Sequence, residues 1–149
     1  MMWNTNRSVI LSCICTKIVI LMSILFLCTA PFWVKLYIQY TYTEVDMMKP
    51  LLCTIYITGI VAMILLFCLN QLLANIKNNN IFTFKNVSLL RIISWCCFAA
   101  ALILLLSGLY YILFLFGAIG AGFFGLILRV VKNVIEQAVI IKTENDFTI

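Results

Sequence analysis

The chain alternates long apolar runs with short polar breaks. Residues 9–30 are apolar apart from Ser, Thr and Lys17; residues 51–76 are apolar until Asn70, Gln71 and Asn75; residues 89–128 are almost unbroken. A helix needs about 20 apolar residues to cross a bilayer, so the first two runs each predict one span, at about 9–31 and 51–76. The third run has forty residues. As one helix it would measure about 60 Å, twice the hydrocarbon thickness, so it must fold back. A break between Gly108 and Gly120, with Tyr110 and Tyr111 at the interface, predicts spans at about 89–111 and 116–137. The expected fold class is therefore all-α: one polytopic domain over 1–149, with four transmembrane helices arranged as two hairpins.

Two polar breaks have content of their own. Residues 32–50 carry Phe32, Trp33, Tyr37, Tyr40 and Tyr42, the rings that favour a membrane–water interface, and read as an external loop with a short surface helix. Glu44 and Asp46 offset Lys35 and Lys49 there. Residues 77–88 join the two hairpins. Asn78, Asn79 and Asn80 supply turn chemistry, and Thr83 or Asn86 can cap the next helix. After Lys132 the chain turns polar, and residues 138–149 read as a tail.

Composition agrees with a bilayer as solvent. The chain of 149 residues is 65% hydrophobic and 10% charged, where soluble domains average near 25% charged. The net charge of +5 is spread along the ends of the apolar runs rather than gathered on a polar face, which argues against direct nucleic-acid binding. With four spans, Arg7, Lys17, Lys77, Lys85, Arg91, Arg129, Lys132 and Lys142 fall on the side of the termini, and only Lys35 and Lys49 on the other. Eight cations against two place both termini, loop 77–88 and tail 138–149 in the cytoplasm. Lys17 lies about two turns inside its span and reaches the interface by snorkelling. The first run also has the outline of a secretory signal, but residues 28–30 followed by Pro31 make a poor cleavage site, and an uncleaved span is expected.

Candidate chemistry is sparse. No His is present, the seven Cys show no Cys-x-x-Cys spacing, and mid-membrane carries no acid. General acid–base work needs such groups in a pocket, so no enzyme, catalytic residue, metal site or cofactor is expected, and ion-coupled transport is disfavoured. Cys13/Cys15 and Cys96/Cys97 point to diverging helix faces, and the cysteines read as small hydrophobes. The fourth span opens with Gly117, Ala118, Ala121, Gly122 and Gly125, whose i,i+4 pairs let helix backbones approach. They are expected to pack the bundle, with homodimerisation through that face as the alternative. Gly59 could do the same in the second span.

Asn80-Ile81-Phe82-Thr83-Phe84-Lys85-Asn86-Val87-Ser88-Leu89-Leu90-Arg91 resembles an N-P-F-T-x-x-N-V-x-x-L-R pattern, and Glu144-Asn145-Asp146-Phe147-Thr148-Ile149 resembles an E-N-D-L-T-I ending. Together they resemble the YoaS-like family of small four-helix bacterial membrane proteins of unknown function. Ile81 stands where that pattern has Pro, and Phe147 where it has Leu. The resemblance implies a multi-pass protein of the bacterial plasma membrane, no catalytic residues, and the company of a small helix-turn-helix transcription regulator. Asn80, Phe82, Thr83, Asn86, Val87, Leu90 and Arg91, with Glu144, Asn145, Asp146 and Thr148, are then the candidate docking or structural motif. An ion pair such as Arg91–Asp146 would join loop to tail. The expected role is non-enzymatic: scaffolding or regulation through docking of that regulator on loop 77–91 and the tail. The alternative is an immunity or stress-type membrane protein that binds a peptide or small molecule, or a small transporter.

Overall fold

A computed structural model of the protein describes residues 5–41, 47–78 and 80–147; of residues 5–7, 146 and 147 it describes the backbone alone. Four α-helices follow one another: α1 (Thr5–Thr41), α2 (Met48–Lys77), α3 (Phe84–Ser107) and α4 (Ile112–Phe147). Each is long and apolar enough to cross a membrane, and no strand occurs among the described residues. In lipid, a helix is one of only two ways to satisfy every backbone N–H and C=O. The apolar composition and the helical architecture are thus one constraint.

The helices pack serially and antiparallel: α1 on α2, α2 on α3, and α3 on α4. The start of α1, the α2–α3 loop and the end of α4 therefore share one end of the molecule. Most large apolar side chains stay exposed, among them Leu102, Leu113, Phe116, Phe123 and Val130, as a surface solvated by acyl chains would be. The buried core is small and sits at the loop end. Leu72 of α2 and Leu89, Leu90 and Ile93 of α3 pack together, with Leu65 and Leu69 of α2 and Leu128 and Ile135 of α4 closing around them.

The turn in the long apolar run comes at the early edge of the expected break. Gly108 closes α3, donating its N–H to the carbonyls of Leu104 at 2.8 Å and Leu105 at 3.2 Å. Tyr110 and Tyr111 then donate to the Ser107 carbonyl at 3.0 and 3.1 Å, and α4 begins at Ile112. A turn this tight satisfies its own backbone, as its depth near the interface requires. Ser107 is also tied to α2: its hydroxyl lies 2.9 Å from that of Thr54.

Two boundaries differ from expectation. The first helix does not stop at residue 31 but runs through Pro31 to Thr41, so a helix occupies most of the segment read as an external loop. Proline removes one backbone donor, yet the residues beyond it keep the packed stripe going. Ala30 and Val34 are buried, and one turn later the Tyr37 ring meets Tyr111 edge-on at 5.7 Å. Likewise α4 continues past residue 137 to Phe147, where a tail was expected. Val139 is 2% exposed, and Thr143 returns its hydroxyl to the Val139 carbonyl at 2.8 Å. Packing sustains helix here where hydropathy alone has run out. Tyr42, Glu44, Asp46 and Asn79 lie outside the described residues.

Gly117, Gly122 and Gly125 approach α3. Ala118 is buried. A Cβ on Gly122 would lie 3.8 Å from Ala101 Cβ, one on Gly125 would lie 3.2 Å from both Cys97 Cβ and the Phe98 ring, and one on Gly117 would lie 3.3 Å from Leu104. Gly59 meets Leu27 of α1 so closely that a Cβ there would overlap it. By contrast, nothing lies within 4 Å of a Cβ on Gly120. Gly125→Val should therefore lower stability by about 1–3 kcal/mol through overpacking, while Gly120→Ala leaves it unchanged or raises it by up to about 1 kcal/mol. Equilibrium unfolding in mixed micelles checks both.

Candidate functional site

The loop between α2 and α3 is short and internally bonded. Asn78 ends α2, and the Asn80 N–H donates to the Asn75 carbonyl at 3.1 Å. Thr83 then adopts extended backbone (φ −135°, ψ 145°) and caps α3, its hydroxyl accepting from the Asn86 N–H at 3.4 Å. Of the two capping candidates, Thr83 takes the role.

Asn86 does something else. It is 1% exposed. Its Nδ2 donates to the carbonyls of Asn80 at 2.6 Å and Ile81 at 2.8 Å, while its Oδ1 accepts from Asn75 Nδ2 at 2.8 Å. Two carbonyls on one side and an amide donor on the other settle which end of the side-chain amide is which. A buried polar group is tolerated when satisfied in this way, and here it staples the loop to both flanking helices. Val87 and Leu90 are buried beside it. The residues of the loop pattern therefore divide by role. Thr83, Asn86, Val87 and Leu90 build the corner, and Asn80 contributes a carbonyl. Phe82 and Phe84 are exposed with Ile81, and Lys85 is exposed beside them.

Arg91 lies two turns into α3 and meets Glu136 of α4, Nη2 to Oε1, at 3.4 Å. Glu136 also holds Lys132 one turn earlier on its own helix. Arg129 stands over the Trp95 ring, 5.5 Å from its centroid, in cation–π contact. Ser94, 3% exposed, donates its hydroxyl to the Gly125 carbonyl at 3.0 Å, a reach that the missing side chain at Gly125 makes available. Arg91, Ser94, Trp95, Arg129 and Lys132 line a cavity of about 260 Å³.

The structure thus gathers one residue of the sequence motif, Arg91, with four that motif reading passes over. Their spacing, Arg129 with Lys132 and Lys132 with Glu136, marks a helix face, but nothing local says that this face meets Arg91. The Asp146 side chain, expected as a partner of Arg91, lies outside the described residues. Glu144 and Asn145 belong to the last turns of α4, and Asp146 sits ten residues beyond Glu136 on the same helix, about 15 Å farther along. All of Thr148 lies outside the described residues too. The seven cysteines carry free thiols, and among the described residues no cluster of His, Cys, Asp and Glu could hold a metal ion.

A second cavity, of about 530 Å³, opens between α1 and α2, toward the α3–α4 turn. Val19, Met22 and Phe26 of α1 face Thr54, Thr58 and Gly59 of α2 across it, with Leu104 and Phe114 also lining it. Its walls are apolar apart from Ser23, Thr54 and Thr58, and the Thr58 hydroxyl oxygen is buried with no hydrogen-bond partner.

Asn86→Ala should destabilise the fold by about 1–3 kcal/mol, because it takes the Asn86 partner from the Asn80 carbonyl and the Asn75 amide and leaves the Ile81 carbonyl only the Thr83 N–H; Thr83→Ala should cost about 1 kcal/mol as a lost cap. Equilibrium unfolding of the two variants tests the order of these effects.

Neither a curated protein nor a solved structure matches the chain. A family model described as "Protein of unknown function (DUF2975)" matches residues 18–149, which takes in all of α2, α3 and α4 and most of α1. The chain, a bundle of four membrane-length helices with a stapled corner between α2 and α3, belongs to that family.

Proposed function

We propose that this is a non-enzymatic multi-pass protein of a bacterial plasma membrane. In this reading its termini and α2–α3 corner face the cytoplasm, and the corner docks a small helix-turn-helix transcription regulator. The observation that carries the reading is the corner itself. Asn86 holds the loop in one shape, and that shape leaves Ile81, Phe82 and Phe84 exposed with Lys85 beside them. Exposed aromatic side chains on a rigid backbone lose little freedom on binding, which is how interface anchors work. The charge bias of eight cations on this side against two on the other favours the cytoplasmic orientation. The regulator as partner follows from the resemblance of the loop and tail motifs. The helical end of α4, with Glu144 and Asn145, extends on the same side and offers the second part of the surface.

A second reading draws on the 530 Å³ apolar cavity, whose volume suits a drug-sized molecule. In that reading the protein binds an apolar peptide or small molecule within the membrane, as an immunity or stress protein would.

A photoreactive residue at position 84, activated in native membranes, tests the first reading, with one at Phe124 as a lipid-facing control. The expected result is a crosslink from position 84 to a small DNA-binding protein that is absent from the control. Crosslinks only to lipid or to the chain itself would remove the docking role. Reporter fusions after residues 85 and 149 should both read out cytoplasmic; an external reading at either overturns the orientation.

A further inference from the structure

We infer that the cavity between α3 and α4 is a binding site for the phosphodiester headgroup of an anionic glycerophospholipid. Neither the family match nor the docking role requires it, and it rests on other residues than the corner.

Depth comes first. Arg91 lies 17 residues before Gly108 on α3, and Arg129 lies 17 residues after Ile112 on α4. At about 1.5 Å per residue both stand about 26 Å from the interhelical turn, just short of the ~30 Å hydrocarbon thickness. If the turn marks one interface, these side chains reach the headgroup layer of the other. Trp95, 59% exposed, sits about one turn deeper, where an indole is favoured at the boundary.

Charge comes next. Arg91, Arg129 and Lys132 converge on the cavity, and Glu136 is the acidic side chain that pairs with Arg91 and Lys132. Three cations against one carboxylate leave two positive charges in excess. Glu136 engages Arg91 through Nη2 only, so the guanidinium keeps donors for another acceptor. Arg129 is held by the Trp95 ring, which orients its guanidinium without using its N–H donors. Lys132 donates to Glu136 and to the Asn133 Oδ1 at 3.0 Å and keeps the third donor of its ammonium, on a side chain only 14% exposed, a setting in which an anion is worth more than at an open surface.

Shape completes the case. The cavity holds about 260 Å³, enough for a phosphodiester with its glycerol. Gly125 and Ser94 bring α3 and α4 together at its floor, so the cations are placed by helix packing rather than by flexible chain. The outer faces of both helices nearby are apolar, with Ile92 on α3 and Val130 on α4 exposed. Acyl chains would lie there while the phosphate enters the cavity. Basic pockets between membrane helices bind anionic headgroups by this combination of charge and depth.

The test uses the full-length protein in a neutral detergent. Its thermal stability is followed while short-chain phosphatidylglycerol, short-chain phosphatidylcholine or inorganic phosphate is added. Phosphatidylglycerol should stabilise saturably, and phosphatidylcholine should not. Arg129→Gln and Lys132→Gln should each weaken that effect roughly fivefold, while Lys85→Gln, outside the cavity, leaves it intact. Equal stabilisation by phosphatidylcholine, or an unchanged response in Arg129→Gln and Lys132→Gln, overturns the proposal. Inorganic phosphate acting as strongly as phosphatidylglycerol overturns the lipid as ligand in favour of a soluble anion. Should the variants fail to fold, the wild-type site is read directly: in a Trp3→Phe/Trp33→Phe background, brominated phosphatidylglycerol should quench Trp95 more than brominated phosphatidylcholine at equal mole fraction. Equal quenching overturns the proposal.

Discussion

The contact between α3 and α4 at Gly125 sets the register on which the rest of this end of the molecule depends. Lipid tails are as apolar as leucine, so two membrane helices gain nothing from merely hiding apolar surface. They associate through close dispersion contacts and hydrogen bonds. Gly125 supplies both: its bare backbone lets Cys97 and Phe98 pack against it, and its carbonyl accepts the buried Ser94 hydroxyl. Ala118 and Gly122 extend the same contact toward the turn. Once that seam is closed, Arg91 and Glu136 fall within reach of one another, and Arg129 and Lys132 line the same recess.

The seam also places the corner. α3 is the central helix, packed on one side by α2 and on the other by α4, and its first turns hold the buried core. Asn86 ties that core to the loop. Its hydrogen bonds hold a corner that apolar packing alone would leave free to vary, because backbone carbonyls buried without a donor are costly. A docking surface made of Phe82 and Phe84 depends on this rigidity, and the anion recess two to three turns deeper depends on the seam. The two proposed sites are linked through α3 but chemically separate: one presents exposed apolar rings, the other is lined by cations.

The motif residues show how a sequence pattern can mix roles. Thr83 and Asn86 are three apart, the spacing of a helix cap and its partner, and their polar character on the edge of an apolar run was readable as a helix start. That Asn86 is the most consequential of them was not readable, because its partners Asn75, Asn80 and Ile81 come together only when the loop closes. Arg91 stood out in the motif, but its contact with Glu136 was not readable, because the two residues lie on different helices. The length of α4 in turn depends on packing around Val139 that hydropathy does not record.

By itself the sequence determined the membrane-length apolar runs, the helix count and the run of small residues along α4. Each of these rests on a local quantity: apolar length against bilayer thickness, polar breaks, and small residues at helical spacing. The tertiary structure alone decided that α1 passes through Pro31, that the turn falls at Gly108, that Glu136 meets Arg91, and that Arg129, Lys132 and Trp95 join it in one cavity. Those outcomes depend on which faces meet and at what height. A change of one residue in the position of the turn would rotate every later side chain of α4 by about 100° and shift it along the axis by about 1.5 Å. Hydropathy carries no such phase across a turn; only the contact of one helix with another does.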